Sequence, residues 1–439
     1  MQMKYLRKLT LAALPGVFLT GCTFATSIDN LLSPPKLSVE QEQIYNALTY
    51  AEGTDISLKY PKSGKYLSAF IVEDIDGDGG NEAIVFYEHT GFDSQENTLR
   101  INVLDCEDDR WKSVFDTSAE GAEIEKVIIS KLGENSRVNL IIGSSLINRS
   151  EKNVSVYNYK EGLLERTFSE SYSMFDVTDL DMDEENEFLL LSGTGGTSPA
   201  IAEVYKLDSK GMYHQYPCEL SAGYTEFDSI CYGSLPGGSP ALYIDAVSGA
   251  GAIQTDIIYM QDNMLKKMFA SSEQAASTER PSGCSSFDID SDGSIEIPVQ
   301  TEAPGFEEAS DSEKLMLTNW LTVSAQGRLE QKYSSYYSIG GGYVFLFPEK
   351  WQGNVTVRRD PIYDEIVLCA YDGEDVGREL MRISRTDDAA EREDRISSGY
   401  MLMHTKGESA YLAYIPESDE EDGLSITPGE ASIGFRFKE

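Results

Sequence analysis

Asp74-Ile-Asp-Gly-Asp-Gly-Gly-Asn-Glu82 is a nine-residue stretch that occurs three times in one frame. It returns as Asp179-Leu-Asp-Met-Asp-Glu-Glu-Asn-Glu187 and as Asp288-Ile-Asp-Ser-Asp-Gly-Ser-Ile-Glu296. Each copy lies between two apolar runs: AFIVE and AIVFY around the first, MFDV and FLLLS around the second, SF and IPV around the third. β-Branched and aromatic residues on both sides of a short acidic segment predict strand, tight turn, strand.

The closing glutamates lie 105 and 109 residues apart, and each interval holds a degenerate copy. VIISKLGENSRVNLIIG (127–143) puts Asn139 at the glutamate position, and SICYGSLPGGSPALYID (229–245) puts Ala241 there. The anchors are therefore 82, 139, 187, 241 and 296, with steps of 57, 48, 54 and 55. Each unit has room for four short strands, as in YLSAFIVED, EAIVFYE, TLRINVLD and RWKSVFD of the first. A four-stranded period near 50 residues is the signature of β-propeller blades. The expected fold is all-β, a β-propeller of five four-stranded blades over residues 54–340, with room for a sixth. Ile56-Ser-Leu-Lys-Tyr60 is placed to complete the last blade and close the ring. Ahead of it, residues 38–53 predict a helix, with Ser38 as N-cap, Gln41 in the capping-box position and Ile44, Leu48 and Ala51 on one face.

Three carboxylates at positions one, three and five of a tight turn repel one another unless a cation sits among them. Calcium takes six to eight oxygens in flexible geometry, and glycine at position six permits the sharp bend. The expected ligands are Asp74, Asp76, Asp78 and Glu82, with a backbone carbonyl near Gly80; Asp179, Asp181, Asp183 and Glu187; and Asp288, Asp290, Asp292 and Glu296. Glu184 replaces the glycine in the middle set, which predicts a distorted or weaker loop. An EF-hand is excluded, because its glutamate stands at position twelve between helices, whereas here it stands at nine between strands. The competing reading is a solvated acidic turn.

These turns resemble the FG-GAP/VCBS repeat family, whose blades carry DxDxDG calcium turns in integrin-like propellers. YPKSGKYLSAF (60–70) with the first turn, and YVFLFPEKWQGNVTV (343–357), also look like a group of lipoproteins from clostridial bacteria. The resemblance spans roughly residues 40–439 and implies a propeller with extracytoplasmic calcium. It implies no catalytic activity, since such turns stiffen a scaffold whose function varies. In such propellers the hairpin between the second and third strands opens on the face opposite the calcium turns. Here those hairpins are glycine-rich, with Gly193, Gly195, Gly196 and Thr197 in one unit and Gly249 and Gly251 in the next. Their amides suit an anion or sugar hydroxyls, although turn-making glycine is the simpler reading.

After Gly340-Gly-Gly342 the repeat stops, and residues 341–439 predict a separate, mostly β domain with one short helical turn in DDAAEREDR (387–395). The acidic run from Glu417 to Asp422 reads as a solvated loop.

The N-terminus reads as an address. Lys4, Arg7 and Lys8 precede an apolar stretch from Leu9 to Leu19, and Leu19-Thr-Gly-Cys22 resembles a bacterial lipobox. Residues 1–22 are thus a lipoprotein signal with Cys22 as the diacylated residue, and 23–37 a tether. Two acyl chains give stable membrane anchoring where one is marginal. The expected location is the extracytoplasmic face of the cell membrane.

The other five cysteines, Cys106, Cys218, Cys231, Cys284 and Cys369, form no CxxC pair and cannot all be paired. Against 36 Lys and Arg stand 74 Asp and Glu, a net charge of −38 that disfavours nucleic acid and anionic lipid surfaces. No GxSxG, HExxH or GxxxxGK[ST] motif is present. The expected function is a non-catalytic, calcium-stabilised binding propeller for a protein or glycan. The alternatives are a carbohydrate-active enzyme on the same scaffold, or an envelope assembly partner.

Overall fold

The computed structural model describes residues 37–90, 99–108, 110–134, 137–146, 151–160, 162–196, 198–249, 251–306, 314–417 and 422–437. Cys22 and Thr197 lie outside them. No helix among the described residues is long and apolar enough to cross a membrane.

The chain is all-β, built from consecutive antiparallel sheets. The first contains β1 (Ile56–Leu58), β2 (Phe70–Glu73), β3 (Glu82–His89), β4 (Arg100–Glu107) and β5 (Arg110–Ser118). The second is β6 (Glu123–Lys131), β7 (Val138–Ser145), β8 (Lys152–Lys160) and β9 (Leu163–Tyr172). The third is β10 (Met174–Thr178), β11 (Glu187–Ser192), β12 (Ile201–Leu207) and β13 (Tyr213–Glu219). The fourth is β14 (Tyr224–Ser234), β15 (Pro240–Ser248), β16 (Ile253–Gln261) and β17 (Met264–Lys267). The fifth holds β18 (Ile297–Glu302), β19 (Met316–Val323), β20 (Leu329–Ser338) and β21 (Tyr343–Leu346). The sixth holds β22 (Val355–Asp360), β23 (Glu365–Tyr371), β24 (Val376–Thr386), β25 (Met401–Lys406) and β26 (Ser409–Tyr414). Glu82 and Glu187 open β3 and β11, Asn139 and Ala241 are the second residues of β7 and β15, and Glu296 lies immediately before β18, bridged to Phe287.

The sheets pack face to face in chain order, which is why their middle strands are apolar on both faces. In β7, Leu140 and Ile142 join Ile84, Phe86 and Val103 of the first sheet, whereas Ile141 joins Phe175, Phe188 and Tyr205 of the third. That is the period-two alternation of a strand buried on both sides. Leu189 and Val204 meet Tyr224 and Ile244, and Tyr243 and Ile257 meet Ile297 and Val323. The arrangement is propeller-like.

Three expectations change. β1 does not complete the last sheet; it pairs with β3, Ile56 opposite His89, on the edge that β2 also uses. The outer face of the first sheet is covered instead by helix α1 (Val39–Glu52), whose fully buried Ile44 and Leu48 pack on Phe70, Val85, Tyr87 and Leu104. Burying two such side chains contributes about 3–6 kcal/mol, enough to hold a short helix in place. The Ser38–Gln41 capping box forms as expected, but Ala51 faces solvent. Among the described residues none of the buried apolar clusters joins the sixth sheet to the first.

The 340/341 boundary also falls inside a sheet. β21 pairs with β20, and the C-terminal strand β27 (Phe435–Phe437) returns to pair with β21. Phe345, Trp351 and Phe435 then share one core with Val357, Leu368 and Met381 of the sixth sheet, so residues 341–439 do not stand apart. The helical turn in 387–395 is helix α3 (Ala389–Ser397), after α2 (Ser272–Ala276) and before α4 (Pro428–Gly434). No disulfide joins any two of Cys106, Cys218, Cys231, Cys284 and Cys369.

Candidate metal centres

The acidic turns connect β2 to β3, β10 to β11, and the bridge residue Phe287 to β18. They share one hydrogen-bond plan. The position-one aspartate accepts two amides: Gly77 and Gly79 at 2.7 and 3.1 Å from Asp74, Asp183 and Glu184 at 3.2 and 3.0 Å from Asp179, and Asp292 and Gly293 at 3.1 and 2.8 Å from Asp288. The closing glutamate accepts the amide of residue two: Ile75 at 2.8 Å, Leu180 at 2.6 Å and Ile289 at 3.0 Å. Positions four and six adopt left-handed backbone. Gly77 and Gly79 do so without strain, whereas the third sheet forces Met182 (φ 61°) and Glu184 (φ 68°) into it.

Ligand atoms of Asp74, Asp76 and Asp78 converge within 4.8 Å, as do those of Asp179, Asp181, Asp183 and Glu187, and those of Asp288, Asp290 and Glu296. Glu82 and Asp292 stand outside these convergent sets. The donor chemistry, all carboxylate oxygen, suits a hard cation.

The surroundings then separate the three turns. In the third sheet the Lys206 ammonium enters the cluster, paired with Asp181, with Asp183 at 2.9 Å and with Glu187 at 3.2 Å. In the fifth, Lys332 lies 2.8 Å from Asp290, 2.6 Å from Asp292 and 2.9 Å from Glu296, and the Tyr333 hydroxyl donates to Asp290 at 2.6 Å. Burial opposes the Lys206 and Lys332 charges, but the carboxylates around each outweigh it and raise both pKa values. Asp105 occupies the corresponding cross-strand position in the first sheet, directly opposite Glu82. Burial pushes the 2 % exposed Glu82 up to about 7, and Asp76, Asp105 and Asp74 add their repulsion. Burial and the same cluster push the Tyr159 hydroxyl on β8 up to about 12. Lys112, paired with Asp105 across β4 and β5, is exposed and makes no ion pair among the described residues.

At the glutamate position the degenerate copies are neutral. Asn139 is buried and accepts from the Asn158 amide at 3.4 Å, and Ala241 is buried among apolar residues. Asp105, Lys206 and Lys332 were missed because each reaches its turn across a hairpin or a bulge whose register no spacing reveals.

At the opposite ends of the strands, the glycine hairpins join β11 to β12 and β15 to β16 as expected. Two of their amides are already used: Gly195 donates to the Tyr224 carbonyl and Gly251 to that of Ser248, both at 2.8 Å. Gly193 packs its Cα region near Ala200, and Gly196 and Gly249 line open turns. A cavity of about 490 Å³ opens at this end beside the β5–β6 connection and the second sheet, lined by Glu120, Gly121, Ser144, Ser145, Lys152 and Asn153. Gly121 lies tight against β7: a Cβ there would lie 2.7 Å from that of Ser144.

The buried carboxylates elsewhere are saturated. Asp245 takes Arg280 at 2.7 Å and the amide of Ser286 at 2.6 Å, and Asp256 takes the Ser221 amide at 2.6 Å and the Tyr224 hydroxyl at 3.0 Å. In the acidic run, Asp422 binds Arg378.

No protein-family model and no curated protein matches the chain. Among solved structures, rhamnogalacturonan lyase YesW is 14% identical with a TM-score of 0.33, over 73% of this chain and 62% of that one. A functionally unknown protein from Desulfotomaculum acetoxidans is 12% identical with a TM-score of 0.31, over 71% and 84%. An α-L-arabinanase from Penicillium chrysogenum is 10% identical with a TM-score of 0.26, over 67% and 92%. The chain spans about 62% of the length of the two lyases YesX and YesW. These likenesses are too remote to assign an activity.

Proposed function

We propose that this chain is an extracytoplasmic, lipid-anchored binding protein whose propeller-type scaffold is stiffened by calcium at the first acidic turn. One observation supports the ion: Asp74, Asp76, Asp78, Glu82 and Asp105 gather with no ammonium or guanidinium paired to them among the described residues, and Glu82 is buried there. Calcium would be held by Asp74, Asp76 and Asp78, with Glu82 and Asp105 balancing its charge. The anchor rests on the lipobox ending in Cys22.

The cavity beside the β5–β6 connection and the second sheet supports a binding role for the hairpin end. Its serine, asparagine, lysine and glutamate groups match a hydroxyl-rich ligand such as a glycan. Titrating the purified protein with soluble cell-wall and plant glycans in calcium tests this. Saturable binding that Ser144→Arg abolishes supports the reading. Turnover of a glycan would instead establish the enzyme alternative.

A further inference from the structure

We propose that Lys206 and Lys332 are built-in cations that take the place of a metal ion in the third and fifth sheets, so that the chain takes one divalent ion, at the first turn. The single-ion count rests on the reading of that turn given above; the assignment of the two lysines does not.

The donor sets of the third and fifth turns do not fit a metal as they stand. An ion ligated at about 2.3–2.6 Å by these oxygens would sit where each ammonium already sits. Ion and ammonium would then crowd two positive charges into one partly buried site, where screening is weak. Both lysines are positioned by the strands. Lys206 follows from the β11–β12 register, in which Phe188 faces Tyr205 and Glu187 therefore faces Lys206. Lys332 is the extra residue of the bulge opposite Trp320 and Leu321, which turns its side chain back to Glu296.

The buried residue that opens the second strand is neutralised inside the chain in sheet after sheet. It is an amide with an amide partner at Asn139, an apolar residue at Ala241, and a glutamate with a lysine at Glu187 and Glu296. In the sixth sheet Glu365, at the same place on β23, takes Arg382 at 3.1 Å and Arg395 besides. In the sixth sheet Asp360 also stands opposite Glu365, but Arg382 bridges the two, whereas in the first sheet Asp105 stands opposite Glu82 and neither carboxylate has an ion-pair partner among the described residues. A lysine offers three N–H donors to four carboxylates, and Asp181 Oδ1 and Asp290 Oδ1 are accordingly buried without a hydrogen bond. The lysines and an ion therefore compete for the same oxygens, and their removal opens two sites.

Calcium titration by calorimetry and native mass spectrometry of the purified protein decides it. One ion is expected for the wild type, two for Lys206→Met or Lys332→Met, and three for the double variant. Wild type binding two or three ions, with no gain on substitution, overturns the lysine assignment and leaves the first-turn ion standing. Wild type binding none overturns the first-turn ion; a gain of one in Lys206→Met then keeps the lysine assignment, and no gain ends it. If the variants do not fold, amine-reactive labelling of the wild type serves. Lys206 and Lys332 should stay protected in saturating calcium, and reactivity that appears with calcium means the ion displaces them.

Discussion

The first and third acidic turns have the same hydrogen-bond plan and opposite electrostatics. Asp74 and Asp179 each hold two backbone amides, and Glu82 and Glu187 each hold the amide of residue two. Across the hairpin, however, one glutamate faces Asp105 and the other Lys206. The turn is therefore a shape before it is a metal site. Backbone amides fold it, and one side chain on the neighbouring strand sets whether its charge is met from within or from solution.

Removing the internal cation should have the largest effect. Lys206→Met leaves Glu187, 0 % exposed, beside three aspartates without a counter-charge. Losing one partner of such a pair costs about 3 kcal/mol or more. In chelator the variant should melt well below wild type, and calcium should restore most of the difference. A variant as stable as wild type in chelator would break the comparison.

Asp76→Asn probes the other side. An ion at a hundredfold its dissociation constant contributes ~2.7 kcal/mol, so this variant should melt several degrees lower than wild type in calcium. In chelator it should melt no lower, because one repelling charge is gone.

A smaller effect should appear in the pH dependence. Glu82 and Glu187 sit at about 7 in the folded chain against 4.5 when unperturbed. The native state thus binds more protons than the unfolded chain between those values, and the stabilising contribution present below 4.5 is lost as pH rises through 7. In chelator, stability should fall over that window. Saturating calcium should remove the Glu82 share and leave that of Glu187, so an unchanged slope in calcium would contradict the first-turn site.

The smallest effect is backbone strain. Glu184→Gly relieves a left-handed φ of 68° and should stabilise by about 1 kcal/mol in calcium and in chelator alike. The matching Gly79→Ala should destabilise the first turn instead.

Much of the fold was legible because its decisive signal is local. A nine-residue turn with fixed carboxylates leads into β3, β11 and β18, and Asn139 and Ala241 could be aligned to it through their apolar flanks. The helix from Val39 was legible for the same reason, since cap and apolar face lie within a few turns. What escaped depends on pairings between distant segments. The three-residue strands β1 and β27 carry too little pattern to name their neighbours, and each adds to a sheet edge that the repeat had assigned elsewhere. Lys206 and Lys332 read as ordinary strand lysines until the hairpin and bulge registers bring them to Glu187 and Glu296. Legibility thus followed contact order: the acidic turns were found, and what neutralises them was not.

The measurement that bears most directly on this account is the melting temperature with saturating calcium and with excess chelator, for wild type, Asp76→Asn and Asp181→Asn. The account predicts a drop of several degrees on chelation for wild type, none for Asp76→Asn, and an undiminished drop for Asp181→Asn from a lower starting point. A chelation drop that survives in Asp76→Asn and vanishes in Asp181→Asn would place the ion in the third sheet and contradict it.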